Sequence, residues 1–114
     1  MAQAQRQLSQ AEQHYQIALA LKIEFNDRYS QARTYHMIGL LMQDLEQLEE
    51  AARAMAQALI IWSEYQDEHY KGVALRNLRR LYQTHPDEML LHEVAAVLGS
   101  SMEEVRGWMT TAGE

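Results

Sequence analysis

The five histidines of this chain are the residues best suited to hold a metal ion or to move a proton. They are His14, His36, His69, His85 and His92. No two of them are four residues apart, the spacing that places two imidazoles on one face of a helix around a zinc ion. Only His85 and His92, seven residues apart and close to Glu88 and Glu93, could share a metal ion by chance. We therefore expect no dedicated metal site.

Nucleophilic catalysis finds no support in the sequence either. The chain contains no Cys, which excludes a cysteine nucleophile, a disulfide and cysteine-ligated zinc. No combination of Ser, His and an acid forms a recognisable catalytic set, and the five glycines form no phosphate-binding loop. We expect a protein that is not an enzyme and that uses no cofactor.

The charge and composition exclude further classes of function. The chain has 114 residues, and its sixteen acids against ten Lys and Arg give a net charge of −6, which does not favour binding to nucleic acid. Hydrophobic residues make up 47%, as in ordinary globular domains. No apolar run reaches the length of a membrane span, and the segment MAQAQRQLSQ lacks the apolar centre of a signal peptide. The sequence predicts one small cytoplasmic domain.

The spacing of apolar residues predicts an all-α fold. Five glycines and one proline are too few for the turns of a many-stranded sandwich or barrel. Apolar residues instead recur at helical intervals, with breaks at Asn26-Asp27 and Gln66-Asp67. The predicted helices cover residues 4–25, 28–44, 48–65, 68–83, 86–98 and 102–111.

The last two predicted helices carry recognisable start and stop signals. Pro86 is expected in the first turn of the fifth helix, where its missing N–H costs nothing. Gly99 is expected to end that helix. Ser101 and Glu104 are expected to form a capping box at the start of the sixth helix. We predict that this pair caps the fold, because Val94–Leu98 is a continuous apolar run that needs cover.

Two segments of the chain, residues 11–27 and residues 51–67, are similar to each other. When the two segments are aligned, Ala11, Ala18, Leu19, Glu24 and Asp27 meet Ala51, Ala58, Leu59, Glu64 and Asp67. The matches are mostly small or apolar residues at helical spacing. A unit of this length accommodates two helices and their turns.

One segment has a more specific pattern. It reads Tyr35-x2-Ile38-Gly39-x2-Met42, then Ala51-x3-Met55, then Ala58. This order of large and small residues resembles the tetratricopeptide repeat (TPR) family, in which two antiparallel helices form each repeat. The repeat is longer than the usual TPR of about 34 residues, and in this it is similar to the long repeats of kinesin light chains and of bacterial TPR arrays. Arg79 departs from the pattern, because it replaces the small residue of the following unit.

The TPR resemblance implies a right-handed α-solenoid of about six antiparallel helices. Residues 1–84 would form TPR-like repeats, with one complete repeat at about 28–66, and residues 85–114 would form a C-terminal capping pair. The first helix matches the second helix of a repeat, so we expect a C-terminal piece of a longer array. Its apolar stripe consists of Leu8, Ala11, Tyr15, Ala18, Leu19 and Ile23. Because only one neighbouring helix covers this stripe, a homodimer through the exposed end of the array is expected.

The resemblance also implies a binding surface. In TPR arrays the first helix of each repeat lines a concave groove that binds a peptide or a partner protein. The corresponding residues here are Arg33, His36, Met37, Leu40, Val73, Arg76, Asn77 and Arg80. Asn77 lies where long-repeat TPRs present an Asn to a peptide backbone, and the arginines favour acidic groups. The Lys and Asn pairs by which chaperone-binding TPRs hold a carboxylate are absent, so we expect a different acidic partner.

An alternative interpretation concerns residues 92–108. Ala95, Gly99 and Val105 have the spacing of a helix-turn-helix, which would make this a regulatory module that contacts DNA. The second helix of such a unit needs basic residues, however, and this one offers Glu103, Glu104 and only one Arg, Arg106. Non-catalytic protein–protein interaction is therefore the preferred prediction.

Overall fold

The structure consists of six α-helices and, among the described residues, no strand. The computed structural model describes the backbone of residues 2–110 and the side chains of residues 6–110. The helices are α1 (Ala2–Glu24), α2 (Arg28–Asp44), α3 (Leu48–Glu64), α4 (Glu68–Thr84), α5 (Glu88–Leu98) and α6 (Met102–Thr110). The all-α prediction is confirmed, and the predicted bounds agree to within two residues, except that position 111 lies outside the described residues.

Three helix ends repeat one hydrogen-bond pattern at equal intervals along the chain. Positive φ angles of 56°, 61° and 56° occur at Asn26, Glu46 and Gln66. At each end, this residue's N–H bonds to the carbonyl three residues earlier, at 3.0, 3.0 and 3.1 Å. The next N–H reaches five residues back, at 2.8, 2.8 and 2.9 Å. These two bonds define the Schellman motif. Helices α2, α3 and α4 consequently start at equal intervals, and two such steps give the period of the internal alignment.

The N-caps follow the same interval. Asp27, Asp67 and Asp87 precede α2, α4 and α5, and each carboxylate accepts a hydrogen bond from a backbone N–H of the first turn. Gln47, at the same place before α3, makes no side-chain cap bond. Side-chain capping satisfies N–H groups that otherwise have no partner in the helix.

The fifth helix starts later than its proline suggested. Pro86 lies before the N-cap Asp87 instead of inside the first turn, so that expectation is wrong. An aspartate directly before a helix-forming run is the stronger start signal, because its carboxylate accepts the bond from Met89 at 3.0 Å. The other two signals are confirmed. Gly99 ends α5 in the left-handed region, and Ser101 and Glu104 form the reciprocal bonds of a capping box.

Helix α3 is the centre of the packing. It contacts α2, α4 and α5, while α1 packs on α2, and α6 packs on both α4 and α5. The shortest extent of the molecule, 22 Å, has room for two layers of helices, each about 10 Å thick. Because α3 is covered on three sides, its Ala51, Ala58, Leu59 and Ile61 have no exposed surface.

Small residues bring α2 and α3 together at the positions of the repeat pattern. A Cβ atom added to Gly39 would lie 2.9 Å from Cε and from Cγ of Met55, which is closer than real contacts allow. Met55 is fully buried, and Trp62 is 2% exposed. The prediction for Ile23 is wrong: it is 52% exposed, because it lies to one side of the stripe that packs on α2.

Candidate functional site

The eight residues predicted to line a groove lie on α2 and α4, at exposed or half-buried positions. We call this surface the α2/α4 face. Arg33, Leu40, Arg76 and Arg80 are exposed, and the remaining four, His36, Met37, Val73 and Asn77, are half-buried. None of the eight belongs to the buried core.

His36 and Asn77 are the two predicted residues that the structure brings into direct contact. The side-chain nitrogen Nδ2 of Asn77 lies 3.1 Å from Nε2 of His36. In this arrangement the amide N–H donates and Nε2 accepts, so the contact favours the neutral imidazole. Burial also lowers the pKa of His36, since a desolvated imidazole disfavours its charged form. The pair links the side chains of α2 and α4.

Aromatic side chains pack next to this pair. The ring of Trp62 on α3 meets the His36 ring edge-on, with 5.6 Å between centroids. Trp62 also stacks on Tyr70 of α4 at 5.0 Å and 23°. Sequence reasoning missed Tyr70. The signal was present, because Tyr70 is seven residues before Asn77 and therefore lies two turns earlier on the same side of α4.

The arginines of the α2/α4 face differ from most other cations of the molecule. Among residues 6–110, no ion pair joins Arg33, Arg76 or Arg80 to an acid. Elsewhere, arginines pair with carboxylates at 3.1 Å (Arg28 with Glu64), 3.0 Å (Arg53 with Glu49) and 2.8 Å (Arg106 with Glu88). The chain has a net charge of −6, yet this surface carries three guanidinium groups without an ion pair to a described acid. They can bind carboxylates or phosphates by donating N–H bonds to them.

One end of the α2/α4 face is closed by polar contacts. The hydroxyl of Tyr29 donates a hydrogen bond to the carboxylate of Asp67, which links the first turns of α2 and α4. This bond raises the pKa of Tyr29 and lowers that of Asp67. The Tyr29 ring also meets Tyr65 edge-on at 5.1 Å. The acid at this end is therefore already engaged and does not neutralise the arginines further along.

A cleft of opposite charge lies on another side of the molecule, and sequence reasoning missed it. It measures about 450 Å³ and separates α1 from α3, with Leu19, Ile38 and Met42 among its apolar lining residues. Glu12, Glu50 and Glu93 are among its polar ones. Burial raises the pKa of Glu93, and the nearby charge of Asp87 adds to that effect. Such a cleft disfavours anions, so it does not extend the α2/α4 face.

The residues proposed for DNA contact are engaged within the fold. Arg106 Nη2 lies 2.8 Å from Glu88 Oε1, and Val105 and Met109 are buried. The guanidinium carbon of Arg79 lies over the Trp108 ring, 5.0 Å from the ring centroid. Helix α6 exposes Glu103 and Glu104, and no observation on it favours DNA.

The described part of the chain has neither a group of metal-binding side chains nor a helix that could span a membrane. No three His, Asp or Glu side chains between residues 6 and 110 are grouped so that they could hold a metal ion. No helix within residues 2–110 is long and apolar enough to cross a bilayer. Comparison of the chain with protein-family models, with curated proteins and with solved structures finds no match.

Proposed function

We propose that this chain is a TPR-like helical repeat module of the right-handed solenoid type, and that its α2/α4 face binds an acidic peptide or an acidic segment of a partner protein. The observation that carries the proposal is the set of three arginines, Arg33, Arg76 and Arg80, on one face of an acidic protein, none of which forms an ion pair with a carboxylate between residues 6 and 110. The proposed activity is non-catalytic and needs no cofactor, and its setting is the cytoplasm.

The repeat assignment rests on two independent regularities. One is the order of large and small residues around Gly39, which is close enough to Met55 to exclude a Cβ. The other is the equal spacing of the helix ends, with the same Schellman bonds each time. A stacked array of similar helix pairs needs both a fixed unit length and small residues at helix crossings. In this proposal, α5 and α6 cap the array.

Recognition of the acidic segment would combine charge with backbone bonding. The guanidinium groups of Arg33, Arg76 and Arg80 would each hold a carboxylate by paired N–H bonds. Asn77 uses one N–H toward His36, which leaves its carbonyl oxygen and its other N–H for a peptide backbone. Leu40 and Val73 offer apolar contact between the charges. The three arginines supply most of the selectivity, because an unneutralised cation discriminates strongly against basic segments.

Binding should be of modest affinity and sensitive to salt. A surface contributed by two helices is small, so we expect a Kd of roughly micromolar order. Exposed charge pairs are screened over about 8–10 Å at physiological ionic strength, so affinity should fall as salt is added.

The decisive experiment is anisotropy of a fluorescein-labelled peptide rich in Asp and Glu, titrated with the protein. The double variant Arg76→Ala with Arg80→Ala should weaken binding roughly tenfold, because two charge-assisted contacts are lost. Its melting temperature should stay close to that of the wild type, since both side chains are exposed. The matched control is Arg53→Ala, an exposed arginine of α3 that lies outside the face. Equal binding by the double variant and the wild type would refute the assignment.

A further inference from the structure

Helices α1 and α3 occupy equivalent places in the fold but have different numbers of neighbours. Lys22 of α1 donates to Thr34 Oγ1 of α2 at 2.7 Å and approaches the Ser30 carbonyl at 3.5 Å. At the equivalent place one repeat later, Trp62 of α3 stacks on Tyr70 of α4, and Tyr70 is the equivalent of Ser30. The packing of α1 against α2 therefore corresponds to the packing of α3 against α4.

Helix α3 has a second partner that α1 lacks among the described residues. The residue that caps α3, Tyr65, meets Tyr29 of α2, and Glu64 Oε1 binds Arg28 Nε at 3.1 Å. Ala58 and Ile61 lie on the same helical side as Tyr65, at intervals of three and four residues, and both are fully buried. The side of α3 that faces α2 is therefore closed.

The equivalent side of α1 is open. Its residues His14, Ala18, Leu21 and Phe25 align with Ala54, Ala58, Ile61 and Tyr65 of the next repeat, and we call them the α1 outer stripe. Leu21 is 48% exposed, whereas Ile61 is 0% exposed. Phe25 is 76% exposed. Glu24, the equivalent of Glu64, makes no ion pair with any residue between 6 and 110.

We infer that the α1 outer stripe is the docking site for an amphipathic helix of another polypeptide that presents the chemistry of α2. Its first turn carries an Arg or Lys followed by an aromatic residue, as Arg28 and Tyr29 do. The cation meets Glu24, and the aromatic ring meets Phe25. Three turns after the cation the helix carries Gly or another small residue, as α2 carries Gly39 opposite Met55, because the equivalent residue on α1 is the bulky Tyr15.

The argument rests on this chain's own internal equivalence and on charge complementarity. The same stripe, one repeat later, is buried by a helix of that chemistry. An exposed Leu and Phe beside a carboxylate with no ion-pair partner between residues 6 and 110 form a surface with an apolar centre and one anionic edge, which a neutral or acidic helix does not match. This site is separate from the α2/α4 face, so it does not depend on the proposed function.

The test uses a synthetic peptide with the sequence of residues 26–47, in which Arg33→Lys and Met37→Glu supply the amine and the carboxyl of a side-chain lactam that holds the peptide in helical form. Its binding to the full chain is followed by fluorescence anisotropy. We expect saturable binding that Leu21→Glu weakens by at least about tenfold, since a charge replaces a central apolar contact. The matched control is Ile23→Glu, because Ile23 is equally exposed but lies on the other side of α1. This control should bind as the wild type does.

A charge exchange checks the orientation. Arg28→Glu in the peptide should weaken binding about threefold, and Glu24→Arg in the protein should restore it, because the two charges meet at the rim of the interface. Binding of the acidic peptide to the α2/α4 face should be unchanged in Leu21→Glu, which separates the two sites.

Three results would overturn the inference. One is the absence of saturable binding by the constrained peptide, and another is equal loss of binding in Leu21→Glu and Ile23→Glu. The third is a wild-type homodimer in sedimentation that Leu21→Glu converts to a monomer, because a second copy would then be the occupant of the stripe.

Discussion

Helices α1 and α3 have related sequences when residues 11–27 are aligned with residues 51–67, yet one is largely exposed and the other is the core of the protein. Ala18 and Leu19 of α1 are half-buried, while their equivalents Ala58 and Leu59 are fully buried. Both helices end with the same Schellman motif. The local sequence therefore determines where each helix begins and ends along the chain, whereas the burial of a helix depends on how many neighbouring helices cover it.

The difference has an energetic meaning. An apolar side chain contributes to stability in proportion to the surface it removes from water, at about 25 cal/mol per Å². The same residue type thus has a large effect in α3 and a small one in α1. Equivalent substitutions in the two helices measure this difference directly, since the substituted residues stand in the same repeat position.

The largest expected contrast is between Ile61→Ala and Leu21→Ala. Removing the buried Ile61 side chain should lower the free energy of unfolding by about 2–5 kcal/mol, because it leaves a cavity among α3 and its neighbours. Removing Leu21, which is nearly half-exposed, should cost less than about 1 kcal/mol. Urea denaturation of both variants measures the contrast. Similar losses at the two positions would mean that α1 is covered in solution.

The sequence predicts the fold better than it predicts the exposed surfaces. Helix ends depend on local chemistry, such as Asp67 accepting the N–H of Tyr70 at 3.2 Å, and these were found to within two residues. The assignment of Ile23 to the apolar stripe of α1 was wrong. The helical period is not a whole number of residues, so a residue at the edge of a stripe cannot be assigned until the partner helix is known.

The candidate site shows the same limit. The exposed positions of Arg33, Arg76 and Arg80 followed from helical spacing once α2 and α4 were assumed to share a face. The contact between His36 and Asn77 did not follow, because it depends on the relative rotation of two helices that the whole of α3 separates in sequence. The cleft between α1 and α3 likewise depends on how far the helices separate, which no periodicity encodes.

A smaller effect is expected at the helix ends. Glu46 and Gln66 adopt positive φ, which disfavours residues with a Cβ, whereas glycine adopts it freely. Glu46→Gly and Gln66→Gly should each raise the free energy of unfolding by about 0.5–1 kcal/mol. Asn26→Gly, at the end of α1, should raise it less, because Asn tolerates the left-handed region. Thermal or urea denaturation would contradict this if the glycine variants at 46 and 66 were less stable than the wild type.

The smallest effect concerns the pH dependence of stability where α3 and α4 meet α2. The pKa of His36 is lowered below 6.5 by burial beside Trp62 and Asn77. Between the folded and unfolded pKa values, the unfolded state binds more protons than the folded state, so stability rises with pH in that window. The contribution of His36 is therefore complete above pH 6.5 and is lost as the pH falls through its folded pKa. In α1 the residue equivalent to Trp62 is Lys22, which donates a hydrogen bond to Thr34.

Carboxyl groups also change stability in acid, so a difference measurement is needed. Asp67 and Glu104, whose pKa values are lowered, lose their contributions below their ordinary 3.8 and 4.5, and Glu93, whose pKa is raised, acts with the opposite sign as the pH falls toward 4.5. All three are present in His36→Gln, which removes only the titrating imidazole. The free energy of unfolding of the wild type should decrease between pH 7 and 5 relative to that of His36→Gln. Parallel curves for the two proteins would show that the pKa of His36 is the same in the folded and unfolded states, and His36 would then add a positive charge to the α2/α4 face as the pH falls below 6.5.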